Sequence, residues 1–413
     1  MKERDTNAEA EEWLELSLEQ ACGKPIVYGI VQAGPNCPGG VPYIRSTDVG
    51  QPLDAASLLR TTPEIAEKYR RSTVSAGDIV FSLRGNIGEM SIVPAELEGA
   101  NLTQGTARIS SSSVVLGEFL FYALQTEAVQ RSLYSVAKGS ALQEVTLNDL
   151  RLISVLIPQS RILQRYIAEA LGNWDRAIQL LESSIKQRAR LRWGFMQKLL
   201  TGKRRPQALG AKWSTITLAE FFEEFSEPNR DRRVQLPLSC SKLYGVIPQA
   251  ERFEKRMASA DLSRYQVVRR NNLVYDPMLL WDASIGFVET VDEGVISPAY
   301  NCFRFKGDAM ERSWFRYLFQ THYMKHQYKV ISQGTNTRRK KAPAGAFLGI
   351  TIEMPTDARE IKQVVAFLEK ADREIALLKK LLAAYRQQKK GLMQQLLTGK
   401  PCVHAPLTSR AAG

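Results

Sequence analysis

The feature that most constrains this chain is that it repeats itself. Residues 192–203 read RWGFMQKLLTGK and residues 389–400 read KKGLMQQLLTGK. Gly194, Met196, Gln197, Leu199, Leu200, Thr201, Gly202 and Lys203 all recur 197 positions later. Upstream, the apolar positions keep the same offset: Leu171, Trp174, Ile178, Leu181 and Ile185 match Leu368, Ala371, Ile375, Leu378 and Leu382. Their spacing alternates between three and four, the seam of a coiled coil. No proline falls between about Ile162 and Leu200, or between about Ile361 and Leu397, and both stretches are rich in good helix formers. The pattern predicts two related helices, each spanning roughly 55–60 Å. Each ends in Thr-Gly-Lys, where the Gly suits the left-handed position that closes a helix. Two ordinary helices in separate bundles are the plain alternative. The identical Leu-Leu-Thr-Gly-Lys ends argue against it, as does a length beyond the usual range of about 10–14 residues.

The segments before the helices complete each repeat. Trp13 opens the first, in WLELSL, and Trp213 the second, in WSTITL. Both then lose helical periodicity and read as strands: IVYGIV (26–31), DIVFSL (78–83), EMSIVP (89–94), TARIS (106–110) and LISVLIP (152–158) in the first half. The second half offers YGVIPQ (244–249), NLVYDP (272–277), SIGFVE (284–289), NCFRFK (301–306) and FLGITIEMP (347–355). Pro158 or Pro355 stands just before each long helix, and one shorter helix is expected before each closing strand, near 119–134 and 313–328. The expected fold class is α+β: two mixed α/β domains separated by two long antiparallel coiled-coil helices, in a pseudo-two-fold tandem repeat. The expected boundaries are 1–158 for the first domain, 159–205 for the first spacer helix, 206–355 for the second domain, 356–400 for the second spacer helix, and 401–413 for a flexible tail. Neither helix can bury its seam alone, so pairing with the other is the natural solution. An antiparallel pair would set the domains at opposite ends of a rod.

Net charge is +13 and the pI about 9.5. That balance favours a polyanionic partner, with solubility as the plainer reading. No run of about 18 apolar residues predicts a membrane span, and the polar, acidic start MKERDTNAEAEEW lacks a signal peptide's apolar core. The expected location is cytoplasmic. Cys22, Cys37, Cys240, Cys302 and Cys402 are scattered and form no CxxC pair. His322 and His326 have the spacing of a metal pair but no Glu between them as in HExxH.

Catalytic motifs are missing from the sequence. Asp276-Pro277-Met278-Leu279 lacks the second proline and the aromatic of an adenine-methylating motif, and reads better as a strand end and turn. Gly202-Lys203 and Gly399-Lys400 lack the upstream Gly and the following Ser or Thr of a phosphate-binding loop, and they follow helices rather than precede them. The chain is expected to be non-enzymatic, with no metal and no cofactor. DNA contact needs Arg, Lys, Asn or Gln on surfaces that can enter a groove, and basic or small polar groups against phosphates. Four stretches offer that chemistry: Arg84 and Asn86 in a glycine-bounded loop, Gln104 in a polar turn, Lys138, Ser140 and Gln143 before the closing strand of the first domain, and their positional counterpart in the second. The counterpart holds Gln333, Thr335, Asn336, Thr337, Arg338, Arg339, Lys340 and Lys341. A solvated hairpin turn is the plain reading of each. Arg45 is a candidate structural partner of Asp48, and Trp193 and Phe195 are expected to pack within the helix pair or against a domain, or else to serve as docking knobs.

The chain resembles the specificity subunit of type I restriction–modification systems. The resemblance covers nearly the whole length. It rests on the tandem layout, the two LLTGK helix ends, YGIVQ…PYIRSTDV (28–49), AGDIVFSLRGNIGEMSIVP (76–94), GSALQEVTLNDLRLISVLIP (139–158), GVIPQAERF, NNLVYDPM and ISQGTNTRRKKAPAGAFLGITIEMP. It implies two target-recognition domains, each reading one part of a bipartite sequence in double-stranded DNA. It also implies two methyltransferase (modification) subunits docked on the spacer helices, restriction (translocase and nuclease) subunits joining them, and no membrane. Two other classes stay open at this point: a standalone DNA-modifying enzyme with unrecognised motifs, and a coiled-coil scaffold with no DNA role.

Overall fold

The computed structural model describes residues 12–139, 143–204, 212–242, 245–255, 257–334 and 341–399. The chain forms two compact units. Residues up to Leu181 and from Leu381 onward make the first, and Glu182–Lys380 the second.

In the first unit, β1 (Trp13–Ser17) pairs antiparallel with β9 (Ser154–Pro158), so the first and last strands are neighbours. Ser17 and Gln20 form a reciprocal capping box at the start of α1 (Leu18–Ala21). A four-stranded antiparallel sheet runs in the order β2 (Val27–Tyr28), β8 (Thr106–Ile109), β5 (Ile79–Ser82), β6 (Met90–Ile92). A smaller sheet places β3 (Val41–Ile44) between β4 (Arg60–Thr61) and β7 (Asn101–Leu102). Thr62 caps α2 (Pro63–Lys68), whose first position is a proline that needs no amide partner there. Helices α3 (Gly117–Leu124), α4 (Glu127–Val136) and α5 (Leu147–Arg151) lead to β9 and then to the 39-residue α6 (Arg161–Leu199). The main core gathers Phe81, Phe119 and Leu120 with Ile167 and Leu171 of α6, and with Leu396 and Leu397 from the end of the last helix.

The second unit repeats the plan. β10 (Trp213–Thr217) pairs with β19 (Thr351–Pro355). The four-stranded sheet β11 (Phe222–Phe225), β18 (Asn301–Phe305), β15 (Leu273–Tyr275), β16 (Ile285–Phe287) keeps the order of its counterpart. Two further antiparallel pairs are added, β12 (Leu238–Ser241) with β13 (Gly245–Pro248) and β14 (Gln266–Arg269) with β17 (Glu293–Ile296). Then follow α7 (Ala309–Leu318), α8 (His322–Ile331), α9 (Ala344–Leu348) and the 39-residue α10 (Ala358–Leu396). The core is aromatic: Phe222, Phe315 and Phe319 pack with ring centroids 5.1–5.6 Å apart, beside Met196 and Leu200 of α6 and Ile361 and Leu368 of α10.

The helix pair has the expected seam. Leu171, Ile178 and Leu368 are buried, and Trp174, Leu181, Ile185, Ala371, Ile375, Leu378 and Leu382 are half-buried. In the second unit Arg188 pairs with Glu374, Arg192 with Asp372, and the Phe195 ring meets Phe367. Partner numbers fall as α6 advances, so the helices run antiparallel there. In the first unit Trp174 meets Tyr385 edge-on at 5.3 Å. Gly202 and Gly399 close the helices at φ +69° and +65°, the left-handed region. Among the described residues no helix is long and apolar enough to cross a membrane.

Two expectations change. The single helix expected near 119–134 is the pair α3 and α4, and that near 313–328 is α7 and α8. A threonine makes each break. Thr126 Oγ1 donates to the Ala123 carbonyl and Thr321 Oγ1 to the Leu318 carbonyl, closing one helix, and Thr321 also accepts from the Met324 amide to open the next. IVYGIV pairs as a strand only at Val27–Tyr28. At Gly29 the backbone comes so close to the Leu102 carbonyl that a Cβ would lie 1.9 Å from it, and the chain crosses to Leu102 and Thr103 instead.

Met196 and Leu397 are buried in different cores. Met196→Ala and Leu397→Ala are each expected to reduce stability by about 2–5 kcal/mol, read as a lower urea midpoint followed by tryptophan fluorescence.

Candidate nucleic-acid interface

Three of the stretches singled out in the sequence meet at one edge of the first unit. The β5–β6 loop carries Arg84, Gly85 and Asn86. The Leu83 amide donates to the Gly105 carbonyl, which brings the Gln104 turn alongside. The Val145 amide donates to the Leu83 carbonyl, and the Gly85 amide to the Gln143 carbonyl, which adds the segment before α5. Lys138 and Glu144 exchange two backbone hydrogen bonds of 2.9 Å, which sets these two residues side by side. Asn86, Gln104, Lys138 and Gln143 are exposed. Ser140 lies outside the described residues.

The charges on this edge are held loosely. Arg84 Nη2 lies 2.7 Å from Glu144 Oε2, with both side chains more than a third exposed. Lys138 Nζ lies 3.4 Å from Asp149. Exposed pairs of this kind contribute about 0–1 kcal/mol, so an incoming phosphate can displace either carboxylate at little cost. The sequence reading missed Glu144 as the counter-charge of Arg84. The two are 60 residues apart, and only the strand order brings them together. Arg45, by contrast, is paired with Asp48 through its backbone amide and its guanidinium, the structural role expected of it.

The second unit builds the same edge with other chemistry. Gln333 and Lys341 exchange backbone hydrogen bonds of 2.9 Å, matching Lys138 and Glu144. The Ala342 amide donates to the Pro277 carbonyl, as Val145 does to Leu83. Gln333 and Lys341 are exposed. Thr335, Asn336, Thr337, Arg338, Arg339 and Lys340 lie outside the described residues. Where the first unit has Arg84-Gly85-Asn86, the second has Asp276-Pro277-Met278-Leu279. Met278 and Leu279 are exposed. Asp276 Oδ1 accepts from the Met278 amide, so this segment is a turn after β15, and burial raises the Asp276 carboxyl above its ordinary pKa. Lys242 pairs with Asp282 nearby at 2.8 Å. The two edges share a backbone and differ in side chains. Among the described residues no group of three or more His, Cys, Asp or Glu is placed to hold a metal ion. The His322 ring packs edge-on against Trp193, and Phe195 against Phe367.

Each unit also ties one of its short helices to the long helices with one repeated device. Tyr122 Oη donates to Asp175 Oδ2 at 2.7 Å, and Lys389 Nζ lies 2.6 Å from Asp175 Oδ1 and 5.2 Å from the Tyr122 ring centre. Tyr317 Oη donates to Asp372 Oδ2 at 2.8 Å, and the Arg192 guanidinium lies 2.9 Å from Asp372 and 5.3 Å from the Tyr317 ring centre. Asp372 and Lys389 stand 197 residues after Asp175 and Arg192. Burial, then the hydrogen bond to the aspartate, pushes both phenols well above their ordinary pKa, so both remain donors. The tyrosines belong to α3 and α7, and the acid and the cation come from opposite long helices.

Residues 32–189 match the family model described as the type I restriction modification DNA specificity domain. The type I restriction enzyme EcoBI specificity subunit of Escherichia coli is 30% identical over 152 residues, 36% of this chain. That match covers 32% of the E. coli subunit's length. The type I restriction enzyme MjaVIII specificity subunit of Methanocaldococcus jannaschii is 22% identical over 370 residues, 81% of this chain and 83% of that one. The fold is shared with the crystal structure of the type I restriction–modification S subunit from M. genitalium, at TM-score 0.56 and 13% identity, covering 96% of this chain and 98% of that one.

Lys389→Met removes one of the two groups that satisfy Asp175. The expected loss is about 1–3 kcal/mol, measured by thermal unfolding. Lys389→Arg is expected to be close to neutral, because arginine fills this place in the second unit.

Proposed function

We propose that the chain is a type I restriction–modification specificity subunit, as the family match over residues 32–189 and the shared fold support, and that its two units read the two halves of a bipartite target in double-stranded DNA. The recognition domains are 1–158 and 206–355, the spacers 159–205 and 356–400, and 401–413 is a tail. Two modification subunits dock on the frame and restriction subunits join them, in the cytoplasm. The chain is a non-catalytic recognition subunit, and the methyl transfer and ATP-driven chemistry belong to the partners. The observation that carries this reading is the contrast between the repeats: the helix frame recurs at one offset, while the loops at equivalent edges, Arg84-Gly85-Asn86 and Met278-Leu279, present different chemistry. A frame that recurs beneath unlike loops suits two readers of unlike half-sites.

Arg84, Lys138 and Lys341 are assigned to phosphates, where weakly paired cations gain most by releasing counterions. Asn86, Gln104, Gln143 and Gln333 are assigned to base edges, where side-chain amides and exposed polar groups discriminate. Ser140 and Thr335, Asn336, Thr337, Arg338, Arg339 and Lys340 are assigned to the same two turns.

Arg84→Ala is expected to weaken binding of all duplexes about equally and to reduce the slope of log affinity against log salt by about 1, measured by fluorescence anisotropy across a salt series. A variant that loses discrimination at one base pair, with the slope intact, would reassign Arg84 to base reading. Replacing residues 1–158 with the equivalent domain of a relative is expected to change one half of the methylated motif and leave the other. Inserting one heptad in both long helices is expected to widen the gap between half-sites by about three base pairs. Methylation-site sequencing reads both, and an unchanged motif would overturn the bipartite reading.

A further inference from the structure

The turn after β15 offers a partner something that its counterpart in the first unit does not. The two loops are matched by their hydrogen bonds. The Ala342 amide meets the Pro277 carbonyl as the Val145 amide meets that of Leu83, so Met278 stands where Arg84 stands. Lys341 stands where Glu144 stands, since they exchange backbone hydrogen bonds with Gln333 and Lys138 respectively. The ion pair of the first edge, Arg84 with Glu144, is thus replaced by a thioether and an exposed cation. In the sequence Arg338, Arg339 and Lys340 come directly before that cation.

Met278 and Leu279 are 43% and 45% exposed, although both are large and apolar. The backbone that carries them is engaged throughout. The Met278 amide donates to Asp276 Oδ1 at 2.9 Å, and the Met278 carbonyl accepts from the Trp281 indole at 3.0 Å. The Leu279 amide donates to the Asp276 carbonyl, and the Leu279 carbonyl accepts from the amides of Asp282 and Ser284. The chain returns through the buried Ala283 at φ +62°, a left-handed conformation that strains a residue with a Cβ. Each amide and carbonyl of the two tip residues therefore has its partner within the turn. What the tip offers outward is apolar side-chain surface on a backbone fixed in place.

We propose that Met278 and Leu279 read thymine, by contact with its 5-methyl group in the major groove of the second unit's half-site. The inference rests on the DNA-reading function proposed above. Lys341, with the cations that precede it in the chain, suits a polyanion at this edge. Among the four ordinary bases the thymine methyl is the one apolar group on a base edge, and it projects into the major groove. A tip whose backbone hydrogen bonds are spent can discriminate base edges there and at no other group. The first unit, with Arg84 and Asn86 on the equivalent loop, presents donors instead.

The test uses the full chain co-purified with its modification subunits. Methylation-site sequencing gives the motif, and the half that survives exchange of residues 1–158 is the half-site of the second unit. Each thymine of that half is replaced in turn by deoxyuridine, which deletes the methyl and keeps the pairing. Wild-type affinity by fluorescence anisotropy is expected to fall about fourfold at one or two of these positions, the value of one buried methyl. Met278→Ala and Leu279→Ala are expected to bind the thymine duplex about fourfold more weakly and to be indifferent to uridine, with the salt slope unchanged. Met278→Leu keeps an apolar tip and is expected to keep the preference. It carries the test alongside Met278→Ala should Leu279→Ala fail to fold. If that half contains no thymine, or uridine costs the wild type and the alanine variants alike, the proposal is overturned. It falls too if the variants bind every duplex more weakly by the same factor, since the tip then reads no base. Loss of modification subunits from the variants, seen by light scattering, would mean that the tip faces protein, and would again overturn it. If the wild-type complex methylates no bipartite motif, the DNA-reading function itself falls.

Discussion

Neither compact unit closes its core without a stretch of both long helices. The first needs Ile167 and Leu171 from the beginning of α6 and Leu396 and Leu397 from the end of α10; the second needs Met196 and Leu200 from the end of α6 and Ile361 and Leu368 from the beginning of α10. A helix whose apolar stripe is buried in this way cannot slide along its partner, because a shift of one residue would turn core positions toward water. The paired aspartates add direction to that constraint. Asp175 and Asp372 each accept a phenol from the domain and a cation from the opposing helix. Non-directional packing sets the depth of each contact, and charge-assisted hydrogen bonds set its register.

The frame was legible in the sequence because its signals are periodic and duplicated. A seam of three-and-four spacing, two proline-free runs and two glycine stops each point to the same pair of helices, and α6 and α10 start and end within three residues of the runs Ile162–Leu200 and Ile361–Leu397. The strands near Ile79, Met90, Thr106 and Ser154 were legible for a similar reason, since each is a short apolar run bounded by turn residues. Other features depend on partners far along the chain. Nothing near Ile26–Val31 announces that Gly29 must pass against Leu102, so six strand-forming residues give a two-residue strand. Nothing near Arg84 points to Glu144, and nothing near Asp175 points to Lys389. The helix breaks at Thr126 and Thr321 are local but were read as helix interior, because the apolar periodicity continues across them and the hydroxyl that ends the turn is a single atom.

The two units also show how one backbone carries different surfaces. The four-stranded sheets have the same order, and before α5 and α9 equivalent pairs of residues, Lys138 with Glu144 and Gln333 with Lys341, exchange backbone hydrogen bonds. What differs includes a place where the backbone asks nothing of the side chain, Arg84 against Met278. The cores differ too, with Phe222, Phe303 and Phe347 of the second unit meeting in a cluster that the first does not reproduce.

The glycines that end the long helices do not share that freedom. Gly202 and Gly399 are left-handed, and each lies against an indole: a Cβ on Gly202 would fall 3.4 Å from the ring of Trp213, and one on Gly399 would fall 3.3 Å from that of Trp13 and 3.0 Å from Leu156. Any other residue would strain the backbone at both positions, and at Gly399 it would be crowded as well. Of the five letters the two helix ends share, the glycine is therefore the one that the stereochemistry of the chain itself dictates, whatever the neighbouring surface meets.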